Sequence, residues 1–85
     1  MYRVEIRSRA EKEIEALPST VSRRILETIA NLGTEPRPNV TRKLAADGGY
    51  RVRVGDYRIV YEIADAAQTV TITRVRHRRD VYRSL

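Results

Sequence analysis

Apolar and polar residues alternate along four stretches of the chain. A period of two places successive side chains on opposite faces of a β-strand, so each stretch predicts a strand that buries one face. The predicted strands cover residues 2–6, 49–54, 57–64 and 69–75. Gly55 and Asp56 predict a two-residue hairpin turn between the second and third strands, and a polar turn around Asp65 and Gln68 joins the last two.

Apolar residues recur at helical spacing after the first predicted strand. A first helix has an apolar stripe of Ala10, Ile14 and Leu17. Ser8 is its predicted N-cap, and Glu11, three residues later, would complete a capping box. Pro18 cannot continue a helix and therefore predicts its end.

A second helix is predicted to begin near Ser19 or Thr20 and to end with Gly33 as its C-cap. Its apolar stripe consists of Val21, Ile25, Leu26, Ile29 and Leu32. The proline-containing residues 34–41 predict an extended connection. The order β-α-α-β-β-β predicts one α+β domain, residues 1–85, with a helical hairpin packed on one face of a small, mainly antiparallel, twisted sheet.

Basic residues are concentrated in the strand-forming half of the chain. Lysine and arginine total 17 against 11 acidic residues, a formal net charge of +6. Residues 1–41 include 7 basic and 6 acidic residues, whereas residues 42–85 include 10 and 5. A positive field concentrated on a sheet is typical of a nucleic-acid-binding face.

The alternation of residues 49–54 puts Arg51 and Arg53 on one strand face, and the hairpin turn brings Arg58 close to them. A guanidinium group binds phosphate through two parallel hydrogen bonds and keeps its charge at cellular pH. These arginines therefore predict a phosphate-binding surface. Arginine is also an ordinary residue for the solvated face of an antiparallel sheet, and for these residues alone the two interpretations have equal weight.

The closing residues 74–85 are dense in charge. Their arginines are Arg74, Arg76, Arg78, Arg79 and Arg83. Such a run is often a solvated tail. Here Val81 and Tyr82 offer apolar anchors, and His77 can exchange protons near neutrality, which favours a role along one edge of the sheet.

The composition excludes several kinds of site. The chain has no cysteine, so neither a disulfide nor a thiolate metal site can form, and His77 is its only histidine. No apolar run approaches the roughly 20 residues that span a bilayer, and the strand-like first residues do not resemble a signal peptide. The sequence predicts a cytoplasmic protein with no metal, no other cofactor and no membrane partner.

These features together resemble the RelE/ParE superfamily of bacterial and archaeal toxins. The resemblance rests on the helical hairpin after the first strand, Lys43-Leu44, the paired strands YRVRVGDYRIVYEI and the closing VRHRRDVY, and it covers essentially the whole chain. It implies the RelE-like microbial RNase fold. It also implies the toxin of a type II toxin–antitoxin system, neutralised by an antitoxin that an adjacent gene encodes.

The resemblance implies one of two activities. RelE-like members enter the ribosomal A site and cleave mRNA there: a ribose 2′-hydroxyl attacks its own 3′ phosphate, which leaves a cyclic phosphate and requires no metal. ParE-like members inhibit DNA gyrase and cleave no RNA. The closing HRRDVY favours a ribosome-dependent mRNA endoribonuclease that inhibits translation.

The resemblance also implies roles for residues of the paired strands. Arg51 and Arg53 occupy the positions of two basic strand residues, and Arg58 matches the arginine that contacts the scissile phosphate. Lys43 and Arg76 complete the predicted RNA-binding set with Arg51 and Arg53.

The predicted catalytic residues are Arg58, His77, Arg78 and Tyr82. Tyr82 matches a C-terminal tyrosine that orients or stacks on the substrate nucleotide. Alignment on VRHR makes Arg78 the second catalytic arginine, whereas counting back from the tyrosine gives Arg76. We prefer Arg78, because it follows His77 in a motif typical of near relatives.

The general base differs from that of the best-known members, which have lysines where this chain has Arg51 and Arg53. A guanidinium stays protonated at cellular pH and is therefore a poor general base. Proton transfer would then fall to His77, to Tyr82 or to ribosomal groups. Glu62 is an alternative base, although its more ordinary interpretation is a carboxylate that neutralises Arg58.

Overall fold

Two helices lie on one face of a five-stranded sheet in the computed structural model, which describes residues 1–38, 41–43 and 49–77. The elements in chain order are β1 (Arg3–Ile6), α1 (Ser8–Glu15), α2 (Ser19–Thr34), β2 (Arg42–Lys43), β3 (Tyr50–Val54), β4 (Tyr57–Ala64) and β5 (Thr69–His77). The predicted α+β class with a helical hairpin is confirmed. Neither helix within these ranges is long and apolar enough to cross a membrane.

The sheet has the strand order β1-β5-β4-β3-β2. β1 runs parallel to β5, and the other neighbouring pairs are antiparallel. The helical hairpin is therefore part of the crossover that connects β1 to the rest of the sheet. β2 was not predicted, because a strand of two residues is too short to show a period. It pairs Arg42 with Arg51 and extends the sheet beyond β3.

The core lies between the helices and the sheet face that they cover. Its buried apolar residues are Ala10, Ile14, Ile25, Ile29, Leu32, Val52, Val54, Ile59, Tyr61, Val70, Ile72 and Val75. Leu26 was predicted in the apolar stripe of α2 but is 46 % exposed. It follows the fully buried Ile25, and one residue turns the side chain by about 100° around the helix axis.

The start of α1 differs from the prediction. Arg7, and not Ser8, is the N-cap, and no side chain caps the helix, so the capping box was wrong. The Arg7 amide donates a hydrogen bond to the Ile72 carbonyl (2.9 Å), which continues the pairing of β1 with β5. That bond holds Arg7 in an extended conformation, so the helix can begin only at the next residue.

Gly33 lies inside α2 and is not its C-cap, because the helix continues to Thr34. A Cβ atom at Gly33 would lie 3.0 Å from Val4 Cγ2 and 3.2 Å from the Tyr2 carbonyl oxygen. The Gly33 carbonyl accepts a hydrogen bond from the Tyr2 amide at 2.8 Å. The glycine therefore allows α2 to approach β1 closely, and its role is packing rather than helix termination.

A β-bulge interrupts the ladder between β4 and β5. Val60 pairs with Arg74 and Tyr61 pairs with Ile72, which leaves Thr73 without a cross-strand partner. The Thr73 hydroxyl donates to the Val60 carbonyl at 3.1 Å. The extra residue reverses the alternation of β5. Even-numbered residues are buried before the bulge, whereas Val75 is buried after it.

Candidate functional site

Arg53, Arg58 and Arg76 form a row across three adjacent strands. Arg53 on β3 is the register partner of Arg58 on β4, and Arg58 is the partner of Arg76 on β5. Neighbouring strands lie about 4.8 Å apart, so the row spans roughly 10 Å. The predicted proximity of Arg53 and Arg58 is present, and Gly55, with φ 59°, forms the predicted tight turn that joins their strands.

A second pair of arginines lies beside this row. Arg42 on β2 is the register partner of Arg51 on β3, and Arg51 shares a strand face with Arg53. Residues two apart on a strand are separated by about 6.7 Å. We call the five residues Arg42, Arg51, Arg53, Arg58 and Arg76 the arginine face. It is the sheet face opposite to the helices.

A cleft of about 250 Å³ opens on the arginine face. It is lined by Arg42, Arg51, Arg53, Arg58 and Val52. Arg51 and Arg58 are partly buried, whereas Arg53 is exposed and its Nε donates to the Gly55 carbonyl at 3.3 Å. Guanidinium groups held on a rigid sheet and partly removed from water bind an anionic phosphate more strongly than mobile surface charges do.

His77 lies on the other side of the sheet from Arg58. Its register partner is Tyr57, and the two rings meet edge to face with centroids 5.1 Å apart. His77 also lines a cleft beside α1 together with Glu13, Ala16, Leu17, Tyr57 and Val75. Because Arg76 and His77 are successive strand residues, only one of them can share the face of Arg58. The structure brings Arg76, and not His77, to Arg58.

Glu62 shares the strand face of Arg58 but lies far from it. Four residues along one strand correspond to about 13 Å, and the register partner of Glu62 is Thr71. The sheet therefore does not place Glu62 beside Arg58, as a neutralising partner would require.

The remaining predicted residues are only partly described. Lys43 lies in β2, where it pairs with Tyr50. Arg78 and Tyr82 lie outside the described residues. Of the two arginines that the closing motif offers, Arg76 is therefore the one seen beside Arg58.

Two features of the site were missed from the sequence. Arg42 belongs to the arginine face, and its only sequence signal is its position next to Lys43. Glu13 of α1 contacts Arg74 and the Val75 amide at the edge of β5. Nothing local in the sequence pairs residues that are 61 positions apart.

A polar cluster at one end of the sheet holds the connection after α2. Arg37 donates to both Asp65 carboxylate oxygens (3.2 and 3.0 Å) and lies over the Tyr50 ring, 5.2 Å from its centroid. The Tyr2 hydroxyl donates to the same carboxylate at 2.6 Å. Hydrogen bonds from Arg37 and then Tyr2 lower the pKa of Asp65 below its ordinary value. The cluster thus holds Arg37 at this end of the sheet, against the Tyr50 ring.

Fully buried Tyr61 anchors the same connection from inside. Its hydroxyl donates to the Pro36 carbonyl at 2.8 Å and lies 2.7 Å from the Thr41 hydroxyl. Burial raises the pKa of Tyr61. Because Arg42 follows Thr41 directly, this anchor also positions the start of β2 beside the arginine face.

The family match and the solved structures that share this fold define a toxin of a type II toxin–antitoxin system. Residues 4–82 match the family described as "ParE toxin of type II toxin-antitoxin system, parDE". The chain belongs to this family, within the RelE/ParE superfamily.

The chain resembles curated toxins and solved structures of toxins and toxin–antitoxin complexes. It is 36 % identical to Toxin RelG of Mycobacterium tuberculosis, over 96 % of this chain and 97 % of that protein. It superimposes with a TM-score of 0.80 on a chain of the toxin–antitoxin complex RelBE2 from the same organism, at 32 % identity over 89 % of this chain and 96 % of the other. The archaeal RelE–RelB complex from Pyrococcus horikoshii gives a TM-score of 0.78 at 31 % identity, over 91 % and 94 %.

Proposed function

We propose that this RelE-family toxin is a ribosome-dependent mRNA endoribonuclease that inhibits translation. The observation that supports this most directly is the row of Arg53, Arg58 and Arg76 on three neighbouring strands. A row of fixed guanidinium groups matches the charge that accumulates on phosphate oxygens during transfer. A ribosomal target would place the protein in the cytoplasm.

The proposed reaction is attack of a ribose 2′-oxygen on the adjacent 3′ phosphorus. The 2′-hydroxyl loses its proton, the bond between phosphorus and the 5′-oxygen breaks, and that oxygen takes up a proton. The products are a 2′,3′-cyclic phosphate and a 5′-hydroxyl. Arg58 and Arg76 would bind the non-bridging oxygens of the scissile phosphate, whose extra negative charge is greatest in the transition state.

The rest of the arginine face would hold the neighbouring backbone. Arg51 and Arg53 are two residues apart on β3, a separation of about 6.7 Å that suits successive phosphates of an extended strand. Arg42 and Lys43 would extend this contact from β2, and Tyr82 would stack on a base.

The position of His77 bears on which group transfers the proton. From the sequence, His77, Tyr82 or a ribosomal group is the predicted proton carrier, and Arg78 is the second catalytic arginine. The placement of His77 beside Tyr57, across the sheet from Arg58, favours Tyr82 or a ribosomal group instead. Arg76 likewise becomes the preferred partner of Arg58, with Arg78 as the alternative.

A cleavage assay on programmed ribosomes tests the function. Purified toxin is added to ribosomes that hold an mRNA with a defined A-site codon, in a panel of codons, and primer extension maps new 5′ ends. We expect cuts in the A site only, and none in naked mRNA. A 2′-O-methyl group on the nucleotide that would attack should abolish the cut. Growth arrest with intact mRNA and with inhibited DNA supercoiling would instead support the ParE-like alternative, a non-enzymatic gyrase inhibitor.

The antitoxin is the second proposed partner. The RelBE2 structure is a toxin–antitoxin complex, and the archaeal structure is a RelE–RelB complex. For this chain we expect an acidic antitoxin segment, encoded by an adjacent gene, that folds on binding and covers the arginine face or the groove of the helical hairpin. Mixed at micromolar concentration, the two proteins should elute from gel filtration as one complex. Separate elution would contradict the partnership.

A further inference from the structure

We propose that Glu13 of α1 is a positioning residue for Arg76. This inference rests on the proposed endoribonuclease function, because it assigns Arg76 a role at the scissile phosphate. Glu13 itself lies on the helix side of the sheet edge and lines the cleft beside His77. It would therefore act through β5 and not through contact with RNA.

Among the described residues, β5 has no neighbouring β1 residue on one side where Glu13 binds it. The register of β1 with β5 ends at the Ile6 and Ile72 pair, and the Arg7 amide adds one more bond to the Ile72 carbonyl. Residues 73–77 of β5 then continue without a β1 partner in the described part of the chain. A strand edge of this kind leaves backbone amides in need of an acceptor.

Glu13 supplies that acceptor. Its Oε1 accepts a hydrogen bond from the Val75 amide at 2.8 Å. The same carboxylate accepts from Arg74 Nη2 at 2.8 Å and from Arg74 Nε at 3.1 Å. The Arg74 and Glu13 side chains are only 25 % and 24 % exposed, so this bidentate pair is better shielded from water than a typical surface ion pair.

The contacted residues directly follow the bulge. Thr73 is the unpaired residue, and Arg74 and Val75 are the next two. Since a strand alternates at every residue, a slip of one position here would exchange the faces of Arg76 and His77. Glu13 binds both residues between the bulge and Arg76. It accepts hydrogen bonds from the side chain of Arg74 and from the backbone amide of Val75. The carboxylate thereby fixes the register that sets Arg76 opposite Arg58.

Single-turnover cleavage on programmed ribosomes tests whether Glu13 affects the cleavage rate. Glu13→Ala should reduce the cleavage rate about tenfold or more, since a displacement near 1 Å in a catalytic group is enough for that, while ribosome affinity stays within about threefold. Glu13→Gln retains an oxygen for the Val75 amide and should recover most of the rate. Glu15→Ala, the same charge change at an exposed position of α1, is the matched control and should cleave at the wild-type rate.

A double-mutant cycle separates positioning from general stability. If Glu13 acts through Arg76, Glu13→Ala should have little further effect in an Arg76→Ala background. Each variant is assayed well below its own melting temperature. The assignment would be overturned if Glu13→Ala reduced the cleavage rate by the same factor in the wild-type and Arg76→Ala backgrounds. A wild-type rate for Glu13→Ala would also overturn it.

Amide hydrogen exchange by NMR gives a result that does not depend on cleavage. In Glu13→Ala the Val75 amide should exchange at least about tenfold faster, and the Ile72 amide before the bulge should not change. If wild-type toxin cuts no mRNA while Val75 exchange responds, the endoribonuclease proposal fails and the control of β5 by Glu13 stands. If the exchange rate of the Val75 amide does not change in Glu13→Ala, Glu13 does not control β5, whether or not the toxin cleaves mRNA.

Discussion

Arg58 and Arg76 are direct cross-strand partners on β4 and β5, on the sheet face opposite to the helices. Their closeness is unusual, because like charges directly opposite each other destabilise a sheet. An anion bound between them would offset that repulsion. Within the part of the chain that the structure describes, this pair is therefore well suited to bind a phosphate group.

Arg58→Ala should reduce the single-turnover cleavage rate about a hundredfold or more, because removal of one preorganised charge donor at a transition state has effects of that size. Ribosome binding should weaken much less. Arg23→Ala removes the same charge from an exposed position of α2 and serves as the control. Equal loss of binding and cleavage would make Arg58 a docking residue.

Arg76→Ala should reduce cleavage about as much as Arg58→Ala, and the double variant should lose less than the product of the two. Arg78→Ala should have a smaller effect. The measurement is the same single-turnover assay with all four variants. A larger loss from Arg78→Ala than from Arg76→Ala would favour the alignment on VRHR over the cross-strand geometry.

His77→Gln should leave the shape of the pH–rate profile between about pH 6 and 8 unchanged, because His77 packs on Tyr57 across the sheet from Arg58. The hypothesis drawn from the sequence, in which His77 transfers the proton, predicts a flattened profile and a slower rate. Rates measured at closely spaced pH values on pre-bound ribosomes distinguish the two.

Asp65 should make folding stability depend on acid pH. Arg37 and Tyr2 lower its pKa from the ordinary value of 3.8, so the folded state binds the proton less readily than the unfolded state. Its contribution is present above about pH 4 and is lost as the pH falls through the lowered pKa. The melting temperature should therefore fall more steeply with acidification in wild type than in Asp65→Asn. Parallel curves would contradict the coupling, and Glu15→Gln is a suitable control.

The hairpin of β3 and β4 was predictable because its determinants are local. Gly55 and Asp56 fix the loop length, and the loop length fixes the register that pairs Arg53 with Arg58. The strand bounds of β4 agree with the prediction, and those of β3 agree within one residue.

The side of the sheet on which residues 74–77 lie was not predictable in the same way. The bulge at Thr73 depends on β4 and β5 pairing, and a uniform alternation from Val70 would have put Arg76 on the core side. The predicted start of α1 and the predicted end of α2 were wrong for a similar reason. Tertiary contacts of Arg7 with Ile72 and of Gly33 with Tyr2 override what the neighbouring residues would favour alone.

The arginine face also links binding to the lifetime of the protein. Any polyanion that binds these guanidinium groups in the native state alone acts as a folding ligand, and its stabilising effect grows with the logarithm of the ratio of free ligand to Kd. RNA and an acidic antitoxin segment would be equivalent in this respect. The form with neither partner would then unfold most readily, and proteases would remove it first.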